Sequence, residues 1–292
     1  MPLKASSRVT RSVCILAMGV TSVLTSLAAD LAQAGKLYRL TNYQESLKIL
    51  LPMAQKDGPG YLLIGQNYYG LGDLKKSTEA IEKAVAAEPR NSEFYLWLGR
   101  AYGRRAETSS PFTAPGFASK ARQNFEKSVE LDGKNLEACS DLFEYYLEAP
   151  GFLGGGMDKA TKMAERIAAL NETEGYWARA KIAEKRKEYS GAEQHLRRAV
   201  ELAPAQAGRL VDLARFLAKQ GRFQESDQAF QAAEKVEPNS PKVIFAKAET
   251  DIKNGRNLES ARKLLRQYLS ARLTPDDPPR AQAEKLLKQA GS

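Results

Sequence analysis

Apolar residues along most of this chain recur at spacings of three and four, the period of helices that each bury one face. The segment YLLIGQNYYGLGDLKKSTEAIEKAVAAEP shows the plan clearly. Tyr61, Ile64, Gly65 and Tyr68 fall on one stripe, and Leu74, Ser77, Ile81 and Ala84 fall on a second. Gly72 stands between the stripes and Pro89 closes the segment, so the pattern predicts two helices joined by a tight turn.

The pair returns with a period of about 34 residues, which means stacked units rather than a closed globule. FYLWLGRAYGR repeats the first stripe with Tyr95, Leu98, Gly99 and Tyr102. LVDLARFLAKQGRFQESDQAFQAAEKVEP repeats both stripes with Leu213, Ala214, Gly221, Phe223, Ser226, Phe230 and Ala233, ending at Pro238. Further copies carry Ala180, Tyr189, Ala192, Leu196 and Ala199, a weaker set from Val243 through Leu269, and an upstream set around Tyr43, Ser46, Leu50 and Met53. Small residues at Gly65, Gly99, Ala180 and Ala214 let two helices approach closely, while Tyr68, Phe125, Leu196 and Phe230 supply bulk beside them.

In these residues the chain resembles the tetratricopeptide repeat family, whose first helix carries a large residue, Leu-Gly and Tyr, and whose second carries a small residue, an aromatic and Ala before a closing Pro. The resemblance implies an all-α, right-handed α-solenoid of about seven helix hairpins. The segment DPPRAQAEKLLKQAG, with Pro at its start and Gly near its end, reads as a C-terminal capping helix. Family positions that face the inner wall fall here on Leu62, Gln66 and Tyr69, on Trp97, Arg100 and Arg104, and on Asp141, Glu144 and Glu148. They continue through Trp177, Lys181 and Lys185, then Arg215 and Lys219, then Phe245, Glu249 and Lys253. Aromatic anchors mixed with both signs of charge suit an extended peptide or a helix, so the resemblance implies a protein or peptide partner. The basic-and-asparagine clamp by which one branch of the family grips acidic chaperone tails has no counterpart here, because Leu62, Gln66, Trp97, Glu137 and Asp141 stand where it would begin.

Two copies hold extra residues between their helices, near 107–117 and 149–157, and both contain Ala-Pro-Gly-Phe. The second, APGFLGGGMDKA, raises the question of a phosphate cradle. A dinucleotide loop needs spaced glycines after a strand, and a Walker loop needs Lys-Ser or Lys-Thr after its last glycine. Here Gly154, Gly155 and Gly156 are contiguous, Met157 and Asp158 follow, and a helix leads in, so the run reads as a bend. Phe112, Phe117 and Phe152 are expected to form an apolar lip beside the groove, with two independent surface loops as the alternative.

The first residues follow another logic. Lys4, Arg8 and Arg11 precede an apolar, small-residue stretch without charge until Asp30, the order of a secretory leader over residues 1–34. A cut after Ala28 would use Ser26 and Ala28, and a cut after Ala34 would use Ala32 and Ala34, with the second slightly preferred. An uncleaved inner-membrane anchor is the alternative. The solenoid then occupies residues 35–292, in the periplasm or outside the cell, with no membrane span in the mature form. Removing Lys4, Arg8, Arg11 and Asp30 lowers the formal charge of +9 only to +7, with both signs interleaved, which argues against a nucleic-acid partner. Of two cysteines only Cys139 would remain, so stability rests on packing rather than disulfides.

Catalytic material is sparse. His195 is the single histidine and lies mid-helix beside arginines, which suits a solvated face. No cysteine–histidine pair, metal-ligand cluster or cofactor motif emerges. The expectation is a non-catalytic interaction scaffold. A carrier of small molecules or lipids, its pocket closed by the insert loops, is the alternative, and self-association through end repeats stays open.

Overall fold

A computed structural model describes residues 28–53 and 56–291. Most of the leader expected at 1–34 lies outside the described residues. Among those described, helices alone supply the regular structure, and they form an all-α solenoid of hairpins. The chain divides into two compact units, with the boundary after Ala87.

The first unit holds α1 over residues 28–39, α2 (Tyr43–Leu50), α3 (Gly58–Gly70) and α4 (Leu74–Ala87). Its core joins Ala34, Leu47, Leu50, Ile64 and Ala80. The second unit holds α5 (Ser92–Thr108), α6 (Ala114–Leu131), α7 (Leu136–Glu148), α8 (Met157–Leu170), α9 (Glu172–Lys185) and α10 (Tyr189–Leu202). It continues through α11 (Ala207–Lys219), α12 (Phe223–Val236), α13 (Pro241–Lys253), α14 (Leu258–Ser270) and α15 (Arg280–Gln289). Two hairpins in the first unit, five in the second and α15 as cap match the expected arrangement.

The turn within five of the seven hairpins has one recurring form. A left-handed residue ends the first helix, at Thr41, Gly72, Lys187, Gly221 or Gly255. The next N–H then reaches back to a carbonyl of the last turn, as in Asp73 to Tyr68 at 2.9 Å and Arg222 to Leu217 at 2.9 Å. This bond satisfies a carbonyl that the helix end would otherwise orphan and sends the chain back antiparallel.

Close approach explains the small residues. A Cβ on Gly65 would lie 2.3 Å from Ile81, and one on Gly99 would lie 2.5 Å from Phe125. Ile81, fully buried, therefore fills the space beside Gly65. Tyr68, expected there, is half-buried with Lys76 over its ring.

Candidate functional site

The first helices of the second unit, α5, α7, α9, α11 and α13, are laced to one another by ion pairs. Arg100 contacts Asp141 at 2.5 Å and Glu137 at 3.0 Å, joining α5 to α7. Lys185 reaches Glu148 at 2.7 Å, joining α9 to α7, and Lys219 reaches Glu184 at 3.2 Å, joining α11 to α9. Arg215 binds Glu249 at 2.8 Å, joining α11 to α13, and Lys253 approaches the same carboxylate at 2.9 Å. The pairs that join helices draw their partners from neighbouring repeats, so the stacking places these residues on one shared face.

A cavity of about 460 Å³ opens on that face. Four cations line it, Lys181, Arg215, Lys219 and Lys253, against three carboxylates, Glu184, Asp212 and Glu249. Phe216 is its one aromatic wall residue. A second cavity of about 510 Å³ lies beyond Arg215, with Arg209, Asp212, Lys242, Phe245 and Asp276 in its wall. Neither includes a residue of the inserts.

Lys181 has carboxylates on both sides without an ion pair to either. The Glu144 carboxyl is pushed above the usual carboxylate range, first by lost hydration and then by Asp141, with Lys181 opposing. Burial likewise raises Asp212, with Arg209 and Lys181 opposing. Asp141 is raised by burial even though Arg100 binds it. Asp141 and Asp212, both half-buried, mark a face where water is already partly excluded, while Glu144 stands exposed at its edge.

The expected contact residues do not share one environment. Glu144, Lys181, Lys185, Arg215 and Lys219 stand on the laced face with Arg100. Trp97 lies half-buried with the Arg100 guanidinium 5.3 Å from its ring centre, and Arg104 pairs at 3.5 Å with Glu107 on its own helix. Trp177 is packing material: it is 9 % exposed, meets Phe143 edge-on at 5.6 Å and is covered by Arg209 at 5.8 Å. In the first unit Leu62 is also buried, at 6 % exposure, whereas Gln66 and Tyr69 are half-buried on α3. The residues not anticipated are Arg209, Asp212 and Glu184. Asp212 stands one helical turn before Arg215, and Glu184 one turn after Lys181, so helical spacing from the named cations could have found them.

The inserts depart from the expected lip. Phe117 stacks on Tyr102 at 6.1 Å beneath Arg105, but Phe112 and Phe152 are 95 % and 82 % exposed and pack against little. The first insert mostly lengthens α6, which begins at Ala114. The second is pinned: Tyr145 Oη donates to the Leu153 carbonyl at 2.9 Å, and Lys159 Nζ donates to that of Gly154 at 2.9 Å.

The three glycine amides donate to Gly151, Pro150 and Tyr146 carbonyls, so all are satisfied within the joint. A Cβ on Gly155 would come within 1.8 Å of the Ala149 carbonyl oxygen, which explains a glycine there. The run is a bend whose amides are already engaged.

His195 is half-buried against Tyr176, ring centres 5.9 Å apart, rather than solvated. Burial and then Arg179 push its pKa down. Among the described residues no group of three metal-ligating side chains converges, and no helix is long and apolar enough to cross a membrane.

Tetratricopeptide repeat profiles match residues 62–106 and 183–243. A comparison with curated proteins finds no match. Among solved structures, a thermophilic tetratricopeptide repeat protein of Thermus thermophilus is similar at 20% identity and a TM-score of 0.53, over 65% of this chain and 98% of its own. A tetratricopeptide repeat protein of Parabacteroides merdae is similar at 12% identity and a TM-score of 0.59, over 92% of this chain and 100% of its own. Identities this low speak to fold alone, and the fold agrees with the two profile matches, the small-residue seams and the hairpin turns. Residues 62–106 and 183–243 thus carry tetratricopeptide repeats, set in a fold of the kind that tetratricopeptide repeat proteins share.

Proposed function

We propose that this protein is a non-catalytic scaffold of the cell envelope that holds a partner protein, as a peptide or helix, along the laced face of its second unit. The observation that carries the reading is the charged cavity over α9, α11 and α13, where Lys181, Arg215, Lys219 and Lys253 stand among Glu184, Asp212 and Glu249. Paired charges set in a partly dehydrated wall can exchange an internal partner for a ligand's carboxylate or ammonium, which favours specificity and register over bulk apolar affinity. Repeats of this family generally serve protein interaction. A carrier would call for an apolar cavity near the inserts. The charged walls and the bare Phe112 and Phe152 rings favour the scaffold.

Export is part of the proposal. It is supported by the order of Lys4, Arg8 and Arg11 before an uncharged apolar stretch. The test is affinity capture from envelope extract with the native chain and with a Lys181→Ala/Arg215→Ala/Lys219→Ala variant. Loss of a defined partner by the variant, with an unchanged helical melt, supports the reading. Equal capture by both contradicts it.

A further inference from the structure

We infer that the leader is removed after Ala28, so that the mature chain begins at Ala29; this rests on the export reading above. Two small-residue pairs near the start of the chain, Ser26 with Ala28 and Ala32 with Ala34, both fit a processing signal.

The fold separates them, because Ala34 is already in use. It is fully buried, in one core with Leu47, Leu50, Ile64 and Ala80, and Leu31 packs against the same cluster. Ser46 Oγ donates to the Ala34 carbonyl at 2.9 Å, and Asn67 Nδ2 donates in turn to Ser46 Oγ at 3.0 Å. The same bond recurs in the second unit, where Ser226 Oγ donates to the Ala214 carbonyl at 2.8 Å across the same interval of 12 residues. Ala214 is the small seam residue of its repeat, and Ala34 holds the same place in the first. Its small size is explained by helix packing, as for Gly65 against Ile81. The chemistry that makes Ala34 resemble a processing signal is that of a repeat seam.

Cleavage after Ala34 would leave only residues 35–39 of α1, less than two turns. It would also remove Leu31 and Ala34 from the core and the acceptor from Ser46. Cleavage after Ala28 keeps that core whole. Ala32, by contrast, is exposed, so enlarging it disturbs the rival site without disturbing the fold.

The experiment expresses the full chain in an export-competent bacterium and reads the intact mass of the processed form, together with Ala28→Leu and Ala32→Leu variants. A mass beginning at Ala29, lost or displaced in Ala28→Leu and unchanged in Ala32→Leu, is the expected result. A mass beginning at Gly35, or processing blocked by Ala32→Leu alone, overturns the inference while leaving export standing. A chain that keeps residue 1 in every fraction overturns this inference, and its recovery in the cytoplasmic fraction rather than with the envelope overturns the export reading as well. Thermal melts of chains starting at residues 29 and 35 supply an independent readout: the shorter chain melts lower, and equal melts contradict the inference.

Discussion

Ser226 Oγ donates to the Ala214 carbonyl at 2.8 Å, from the first turn of α12 to the seam of α11, inside a fully packed hairpin. Ser46 repeats the contact with Ala34 and also accepts from Asn67. Substituting Ser46→Ala therefore removes a buried bond and leaves Asn67 with one acceptor fewer. The expected loss of stability is about 1–3 kcal/mol, against about 1 kcal/mol for Ser226→Ala. Urea unfolding of the two variants checks the order.

The seam itself predicts a double-mutant result. A Cβ at residue 99 would stand 2.5 Å from the Phe125 ring, so Gly99→Ala overpacks the α5 and α6 contact at a cost of about 1–3 kcal/mol. Replacing Phe125 by Leu in the same chain relieves the clash, and the combined loss is smaller than the sum of the two single losses. Strict additivity would show that the ring and the glycine are not opposed.

Lys187 holds a left-handed backbone, φ 63°, at the place where Gly72, Gly221 and Gly255 turn other hairpins. A side chain there costs roughly 1 kcal/mol, partly offset by the greater freedom of glycine in the unfolded chain. Lys187→Gly is therefore expected to raise stability by a few tenths to about 1 kcal/mol. A lower melting temperature would contradict this.

The raised pKa of Glu144 has a definite sign. Its folded form holds a proton more readily than the unfolded chain, so its penalty is absent at low pH and grows as pH rises from the ordinary carboxylate value to the raised one. Because Glu144 is exposed, solvent screens most of this penalty, so Glu144→Gln should melt only slightly above the native protein at pH 7, and the two should converge as pH falls through that window. A constant difference at every pH would exclude the charge as its cause.

Phe112 and Phe152 bury little, so replacing both by Ser is expected to change stability by no more than about 0.5 kcal/mol. A larger loss, read by thermal melt, would mean that the loops brace the repeats.

Sequence periodicity exposed the hairpins because a seam needs a small residue and most of the turns a left-handed one, and both requirements leave marks at fixed spacing. Gly65, Gly99 and Ala214 could thus be read directly. Trp177 could not, because an aromatic at an inward family position looks the same whether it faces a partner or is covered by Arg209 and Phe143. The charge lacing was hidden for a related reason: Arg100 and Asp141, or Lys219 and Glu184, meet only after repeats stack, across intervals of 41 and 35 residues. Local spacing records the helix face but not which neighbour neutralises it. The inserts showed their position through Pro150 and the glycines, while the exposure of Phe152 left no mark in the spacing.

The claim that the laced face receives the partner is tested most directly by hydrogen–deuterium exchange on the protein with and without a captured partner. The account predicts added protection concentrated in α9, α11 and α13, reduced in the Lys181→Ala/Arg215→Ala/Lys219→Ala variant. Protection confined to α10, α12 and α14, with α9, α11 and α13 unchanged, would contradict it.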